Sequence, residues 1–251
     1  MYTTAQKLIN GFAGLKRLPA GIASHFPRPT LGQCLLCGAL AATEGICLDC
    51  LSDLPWPLRP CGRCAEELQP AAEGSWCERC LLSPPAFDRC IPLLRYAFPA
   101  RELIAGFKFR AGFAAGRALG SLLAEAMLSS CDDYLPQVLI PVPLHPQRLR
   151  QRGFNQSTLL ARAVSAHSGI PVLHCVKRVR VTTTQRTLRA EARQHNLKDA
   201  FVVASQRLDQ FQHVAIVDDV VTTMNTANSL STALRDAGVA RIDVLCAARV
   251  S

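Results

Sequence analysis

Two groups of residues in this 251-residue chain have the types and spacing to do chemistry. The first is the string VAIVDDVVTTMNT at 214–226. An apolar run emerges into two adjacent carboxylates, Asp218 and Asp219, and a hydroxyl-rich stretch then leads into a helical pattern. In an open parallel sheet, ligands lie beyond the carboxyl ends of the strands. Neighbouring strand residues point to opposite sides, so the two aspartates are expected to have different jobs. Carboxylates in such a place can hold sugar hydroxyls or a hydrated Mg²⁺. Thr222, Thr223 and Thr226, with the backbone N–H groups of a helix start, can cradle a phosphate. A plainer alternative is that Thr226 is a simple N-cap and the aspartates merely end a strand.

The second group is cysteine. Eight of the twelve cysteines form four CxxC pairs: Cys34/Cys37, Cys47/Cys50, Cys61/Cys64 and Cys77/Cys80. A CxxC turn sets two thiolates on one side of a knuckle, and two such turns complete a closed, structural Cys₄ zinc site. One or two Zn²⁺ ions are therefore expected, with the pairs used either sequentially or interleaved as a cross-brace. No convincing export signal opens the chain, so a cytoplasmic, reducing location is expected and metal is favoured over disulfides. Cys90, Cys131, Cys175 and Cys246 lack partners at ligand spacing and read as buried small hydrophobes.

The elements that must position these residues follow from periodicity. Apolar residues make up 49% of the chain, enough for a real core, and no apolar run reaches the ~18 residues of a membrane span. Residues 1–30 form a basic N-terminal segment in which Leu8, Phe12 and Leu15 share one helical face, with Lys7, Lys16 and Arg17 near its edges. Such a helix either docks on its own domain or lies on a membrane surface or acidic partner. Residues 31–85 hold the double CxxC module, with LSDLPWPLRP at 51–60 as a linker between the clusters. From 86 to 251 strands and helices alternate. Strands are expected at 90–98, 137–144, 172–179, 211–221 and 240–250, and helices at 101–109, 115–128, 154–167 and 226–238. A basic loop joins 144 to 154. This alternation predicts an α/β fold with a mostly parallel sheet and helices on both faces.

The string at 214–226 resembles the phosphoribosyl diphosphate-binding motif of type I phosphoribosyltransferases. Further motifs run in order with it: the cysteine pairs, IAGFKFR at 104–110, PVPLHPQRLRQRGFNQ at 141–156 and QRTLRAEARQHN at 185–196. Together they identify the chain, from about Cys34 to its end, as similar to the ComF family, which includes GntX-like proteins. RGFNQ beside a proline-rich strand is the most specific of them. The resemblance implies a type I phosphoribosyltransferase-like domain over 86–251. It implies that Asp218 and Asp219 are the catalytic pair contacting ribose hydroxyls. Thr222, Thr223, Met224, Asn225 and Thr226 would hold the 5′-phosphate, and Mg²⁺ would accompany the diphosphate. Arg148, Arg152 and Lys108 are candidate diphosphate contacts, since guanidinium forks bind phosphate oxygens in bidentate fashion. Asn155 and Gln156 either add hydrogen bonds to a ligand or cap the following helix. Arg193 and Asn196 are further candidates for substrate or nucleic acid.

One departure bears on the phosphate loop. The family pattern is close to TTG(A/S)T, whereas this chain has Met at 224. Glycine enters the left-handed region freely, and placing Met there costs roughly 1–2 kcal/mol. Either the turn shifts by one residue to Asn225, or phosphate binding is weakened or altered.

Three functions are compatible with these residues. An enzyme would transfer a phosphoribosyl group with displacement of diphosphate, to an acceptor that the chain does not name. A binding protein would use the same domain, with a net charge of +9 and the basic run Lys177, Arg178, Arg180, Arg186, Arg189 and Arg193, to hold single-stranded DNA. A sensor would bind phosphoribosyl diphosphate without turnover. The family's association with competence and DNA utilisation adds a helicase-type protein to the expected partners.

Overall fold

The computed structural model describes residues 32–41, 45–70, 74–109, 112–130, 134–179, 200–204, 208 and 210–250. The expected N-terminal helix, the segment 185–196 with Arg193 and Asn196, and Cys131 lie outside the described residues.

Along the chain come β1 (Gly32–Gln33), β2 (Leu40–Ala41), α1 (Leu48–Ser52) and α2 (Glu78–Leu82). Next are β3 (Arg89–Arg95), α3 (Ala100–Phe109), α4 (Phe113–Ser130) and β4 (Val138–Pro141). They are followed by α5 (Pro146–Arg152), α6 (Gln156–Ser168), β5 (Val176–Arg178) and β6 (Phe201–Val203). The last are β7 (His213–Val221), α7 (Asn225–Asp236) and β8 (Arg241–Arg249). The main sheet has the order β3-β8-β7-β4 and every neighbouring pair is parallel. This is the parallel α/β class expected from the alternation, with the cysteine-rich segment ahead of it.

Strand β7 shows why both faces must be covered. Residues His213–Val217 are all buried, and alternate side chains enter different cores. Ala215 and Val217 join a core built with Leu103, Ile104 and Phe107 of α3, Leu119 and Leu123 of α4, and Leu160 and Val164 of α6. Val214 and Ile216 join a second core with Leu230 and Leu234 of α7 and Phe201 of β6. The cysteine segment contributes to each. Cys34, Leu51 and Trp56 lie in the first core, and Cys61, Cys64 and Cys80 lie in the second.

The sheet's edges match their sequence. Pro92 has no N–H to give and sits in edge strand β3. The outer rim of that strand is met by the cysteine segment: Cys90 N–H donates to the Arg63 carbonyl and Arg95 N–H to the Pro55 carbonyl, each at 2.8 Å. Pro141 ends β4, the opposite edge.

Several expected boundaries are corrected. The strand expected at 137–144 is only Val138–Pro141, because Pro141 and Pro143 interrupt the supply of N–H donors. Of 172–179, only Val176–Arg178 is strand. Val172 makes one isolated parallel bridge to Leu139, and the chain then leaves to pair antiparallel with β6, which periodicity did not reveal. The basic loop contains α5, capped by His145, opened by Pro146 and closed by Gly153 in the left-handed region at φ 76°. The linker at 51–60 is a packed strap. Leu54 and Trp56 are buried, and the Trp56 indole N–H donates to the Leu51 carbonyl at 3.1 Å.

Helices α4 and α6 approach closely because Gly120 has no side chain. A Cβ there would lie 2.2 Å from the Ala163 Cβ. Gly120→Ala should therefore destabilise the protein by about 1–3 kcal/mol through overpacking, despite the better helix propensity of alanine. A urea denaturation midpoint lowered at unchanged slope is the expected result.

Candidate functional site

Asp218 and Asp219 lie near the carboxyl end of β7, both half-buried after a fully buried run. Asp218 Oδ1 accepts from the Ser157 hydroxyl at 3.1 Å and from the Asp219 N–H at 2.9 Å. Asp219 Oδ1 accepts from the Val220 N–H at 2.6 Å. The two carboxylates therefore differ in surroundings, and one of them is oriented by the first turn of α6.

Beyond the strand, Thr222 and Thr223 are exposed and Met224 turns the chain into α7. Met224 itself takes the left-handed conformation, φ 62° and ψ −2°, and serves as N-cap residue. Two alternatives left open by the sequence are decided by this. The turn does not shift to Asn225, which opens the helix, and Thr226 is not the cap. Burial explains how methionine is tolerated: Met224 is 8% exposed and belongs to the second core. Residues Asp218 and Val220–Ala227 line a cavity of about 30 Å³, room for a water-sized group.

The basic side is built by α5 and β5. Arg152 Nη1 donates to Gln156 Oε1 at 3.2 Å, and Gln156 is itself 1% exposed. Asn155 caps α6, accepting from the Ser157 N–H at 3.1 Å, while its Nδ2 donates to the Val142 carbonyl at 2.9 Å. Of the two roles open to Asn155, capping is the one the geometry displays. Arg178 joins the site from β5. Burial and the nearby Arg148 charge lower its pKa, and Asp218 acts in the opposite sense. Its guanidinium lies 5.5 Å from the centroid of the Phe201 ring. Lys108 is on α3, and nothing is described of its side chain.

The cysteine clusters are sequential, not interleaved. Cys34, Cys37, Cys47 and Cys50 form one, Cys61, Cys64, Cys77 and Cys80 the other, and in each the ligand atoms lie within 4.8 Å of one another. Sγ–Sγ distances of 3.6 Å (Cys37–Cys47) and 3.5 Å (Cys64–Cys77) approach the ~3.8 Å edge of a tetrahedron with Zn–S of about 2.3 Å. The clusters repeat one another in detail. Cys47 N–H donates to Cys34 Sγ at 3.4 Å, and Cys77 N–H to Cys61 Sγ at 3.2 Å. Each third cysteine also occupies the N-cap position of a short helix, and the Cys47 sulfur accepts a capping bond from the Cys50 N–H.

Electrostatics fit a cation. Burial works to raise the Cys34 thiol, but the N–H groups of Cys37, Cys47 and Leu36 outweigh it and bring it down to about 6. At Cys61 burial is likewise overcome, by the N–H groups of Cys64, Cys77 and Arg63, giving about 7. Burial pushes Cys64 up to about 12, with Cys61 adding to the rise, and it pushes Cys50 and Cys80 up as well. Four crowded thiols cannot all ionise without a positive ion among them. Both clusters could hold zinc. Cys90, Cys175 and Cys246 are buried.

No family model matches the chain. It is 39% identical over 216 residues to competence protein F of Haemophilus influenzae, covering 83% of this chain and 92% of that protein. To the DNA utilization protein YhgH of Salmonella typhimurium it is 36% identical over 228 residues, 87% of this chain and 97% of the relative. The YhgH protein of Escherichia coli K12 matches at 36% over 233 residues, with the same coverage. The chain belongs to the ComF family. Among solved structures, the allosteric regulatory enzyme of purine biosynthesis is similar with a TM-score of 0.36 and 19% identity. Glutamine phosphoribosylpyrophosphate amidotransferase from B. subtilis has the same values. Each alignment covers 53% of this chain and 26% of the other.

Sequence reasoning missed two side chains beside the carboxylates of this ComF chain. Ser157 follows directly on RGFNQ, and only the approach of α6 to β7 shows its use. Arg178 was visible as part of a basic run, but its place beside Arg148 and Asp218 depends on the hairpin with β6.

The two clusters share no ligand, so metal analysis of the purified protein should return two zinc equivalents per chain. Cys47→Ser and Cys77→Ser should each leave about one. Loss of both equivalents from either single variant would mean that the clusters depend on each other for metal.

Proposed function

We propose that the chain binds phosphoribosyl diphosphate, with Mg²⁺, at the carboxyl end of β7, and that it serves the uptake or utilisation of DNA. One observation carries the ligand reading. A carboxylate pair, a left-handed turn and the N-terminus of a twelve-residue helix follow one another within eight residues, and the first carboxylate, Asp218, lies within electrostatic reach of Arg178, itself near Arg148. The DNA role is supported by relatives whose names state competence and DNA utilization.

In this reading the carboxylates accept hydrogen bonds from the ribose hydroxyls. Asp218 is held for that task by Ser157. The N–H groups that open α7 lie where helix-end donors favour an anion, and the α5 arginines complement the diphosphate charge. Mg²⁺ would supply charge neutralisation on the departing diphosphate oxygens. Any transfer would rest on positioning and on electrostatic stabilisation of the developing charges. Without an acceptor, the same arrangement is a sensor.

Calorimetric titration of the zinc-loaded protein with phosphoribosyl diphosphate and Mg²⁺ tests the reading. Binding should be lost in an Asp218→Ala/Asp219→Ala double variant that keeps its two zinc ions. No binding by the wild-type protein would overturn the ligand assignment. Met224→Gly should lower thermal stability, because the lost burial outweighs the ~1–2 kcal/mol of relieved strain. Since the left-handed turn is already formed, affinity should change less than about threefold. A large gain in affinity would identify the Met224 side chain as an obstruction.

A second reading, single-stranded DNA binding, is favoured by a cleft of about 460 Å³ near the amino ends of β3 and β8. Gly62, Arg63, Trp76, Asp88, Arg89, Ala240 and Arg241 line it. The Arg63 guanidinium lies 5.1 Å from the Trp76 ring centroid, and Trp76 is 47% exposed. Arginines around an exposed indole suit a phosphate backbone with a stacked base. Trp76→Ala should weaken binding of an oligothymidylate about 10-fold, the wild-type affinity falling steeply with salt. Unchanged affinity would exclude this cleft.

A further inference from the structure

Arg249, the last residue of β8, is 2% exposed and stands where the second cysteine cluster meets the loop after β7. Its donors divide between the two. Nε donates to the carbonyl of Cys64 at 3.2 Å, and Nη2 to Glu66 Oε2 at 2.6 Å. Nη1 donates to the carbonyl of Thr222 at 2.6 Å, is 3.4 Å from that of Val221, and also reaches the Val250 carbonyl. Glu66 is two residues beyond the ligand Cys64. The same Oε2 accepts from Arg79 Nη2 at 3.1 Å, and Arg79 lies between the ligands Cys77 and Cys80. Met224 packs in the second core with Cys61, Cys64 and Cys80.

We propose that Arg249 is a positioning residue through which the second cysteine cluster props the 222–226 loop, so that metal loading of that cluster governs how well the loop is formed. A planar guanidinium with its donors in a fixed fork cannot follow one partner without releasing another. The carbonyls of Thr222 and Val221 are aimed inward at Arg249, which sets the peptide planes at the start of the loop. Displacement of Cys64 or Glu66 on metal loss would therefore tilt those planes and free Met224. The first cluster offers an internal control. It packs with Leu51 and Trp56 in the first core, across the sheet from Met224.

The coupling is tested without any ligand by hydrogen exchange of the full-length, zinc-loaded protein. Amides at 222–226 are compared in the wild-type protein and in Cys47→Ser, Cys77→Ser, Glu66→Gln and Arg249→Lys. Exchange at these amides should quicken by about 5- to 150-fold in Cys77→Ser. Glu66→Gln and Arg249→Lys should quicken it in the same direction, with strands β4 and β7 still protected. Cys47→Ser should leave the loop within about twofold of wild type. Should Cys77→Ser fail to fold, Glu66→Gln decides the matter, because it keeps all eight cysteines. Wild-type exchange at 222–226 in folded Glu66→Gln and Arg249→Lys would overturn the proposal.

A second arm rests on the phosphoribosyl diphosphate reading. By reciprocity, a ligand that orders the loop must tighten metal at the second cluster. Zinc release to a chromogenic chelator from Cys47→Ser, which keeps only that cluster, should slow about threefold or more when phosphoribosyl diphosphate and Mg²⁺ are present. The slowing should vanish when Glu66→Gln is added. If calorimetry shows no binding while the exchange pattern holds, the ligand assignment fails and the prop stands. Binding with zinc release unchanged would count against the prop.

Discussion

Burial of β7 and β8 on both faces is the constraint on which the rest of the structure depends. From His213 to Val217, and from Ile242 to Arg249, every residue is buried. A four-stranded parallel sheet of this kind needs apolar cover on two sides, and the helices are divided unequally. Among the described residues, helices α3, α4 and α6 cover the first face, and α7 is the one long helix over the second. The antiparallel β5–β6 pair and the second cysteine cluster add to that second cover. The cysteine segment is therefore part of the sheet's packing as well as a pair of metal-type sites, and its carbonyls meet two N–H groups of edge strand β3.

Two charged groups buried by the same packing, Asp243 and Arg249, have charged partners. Asp243 is 1% exposed at the start of β8, with Arg89 at 2.8 Å and His213 at 3.2 Å. Burial alone would raise its pKa, but hydrogen bonds and charge from His213 and Arg89 bring it below the usual value. A depressed carboxylate contributes stability above its unfolded pKa of about 3.9 and loses it as pH falls through the folded value. At the other end of β8, Arg249 does comparable work with carbonyls and Glu66. One strand thus carries a buried charge near each end, one tying β3 to β7 and the other tying the cysteine segment to the loop.

What could be read in the sequence divides along the range of the interactions. The run VAIVDD announced a buried strand opening into carboxylates, because alternation and charge are properties of adjacent residues. CxxC spacing marked the members of both cysteine clusters for the same reason. It left their pairing open, since the return of the chain between Cys37 and Cys47 is set by tertiary packing. Ser157, Glu66 and Arg249 stayed hidden, and Arg178 showed only as part of a basic run, because each acts across tens of residues or more. Arg249 reaches back 185 residues to Cys64. Helix α5 carries its own local signals, Pro146 at its start and Gly153 at its end, but the run between them is basic with Leu149 as its one apolar residue, so no apolar periodicity marks it.

Met224 shows how a local rule and a tertiary contact can disagree at a site. Backbone preference alone argues for glycine, and the chain places there a residue that resists a left-handed turn. The conflict is resolved by burial of the methionine side chain in the second core, to which Cys61, Cys64 and Cys80 also belong. Strain in the turn and burial of the side chain are thus opposite ends of one residue. Glycine would relax the first and forfeit the second. A loop built in this way owes its conformation to the surface beneath it more than to its own backbone. Cys64 and Cys80 belong to the same core, and the proposed prop at Arg249 would tie the shape of the loop to the integrity of that cluster.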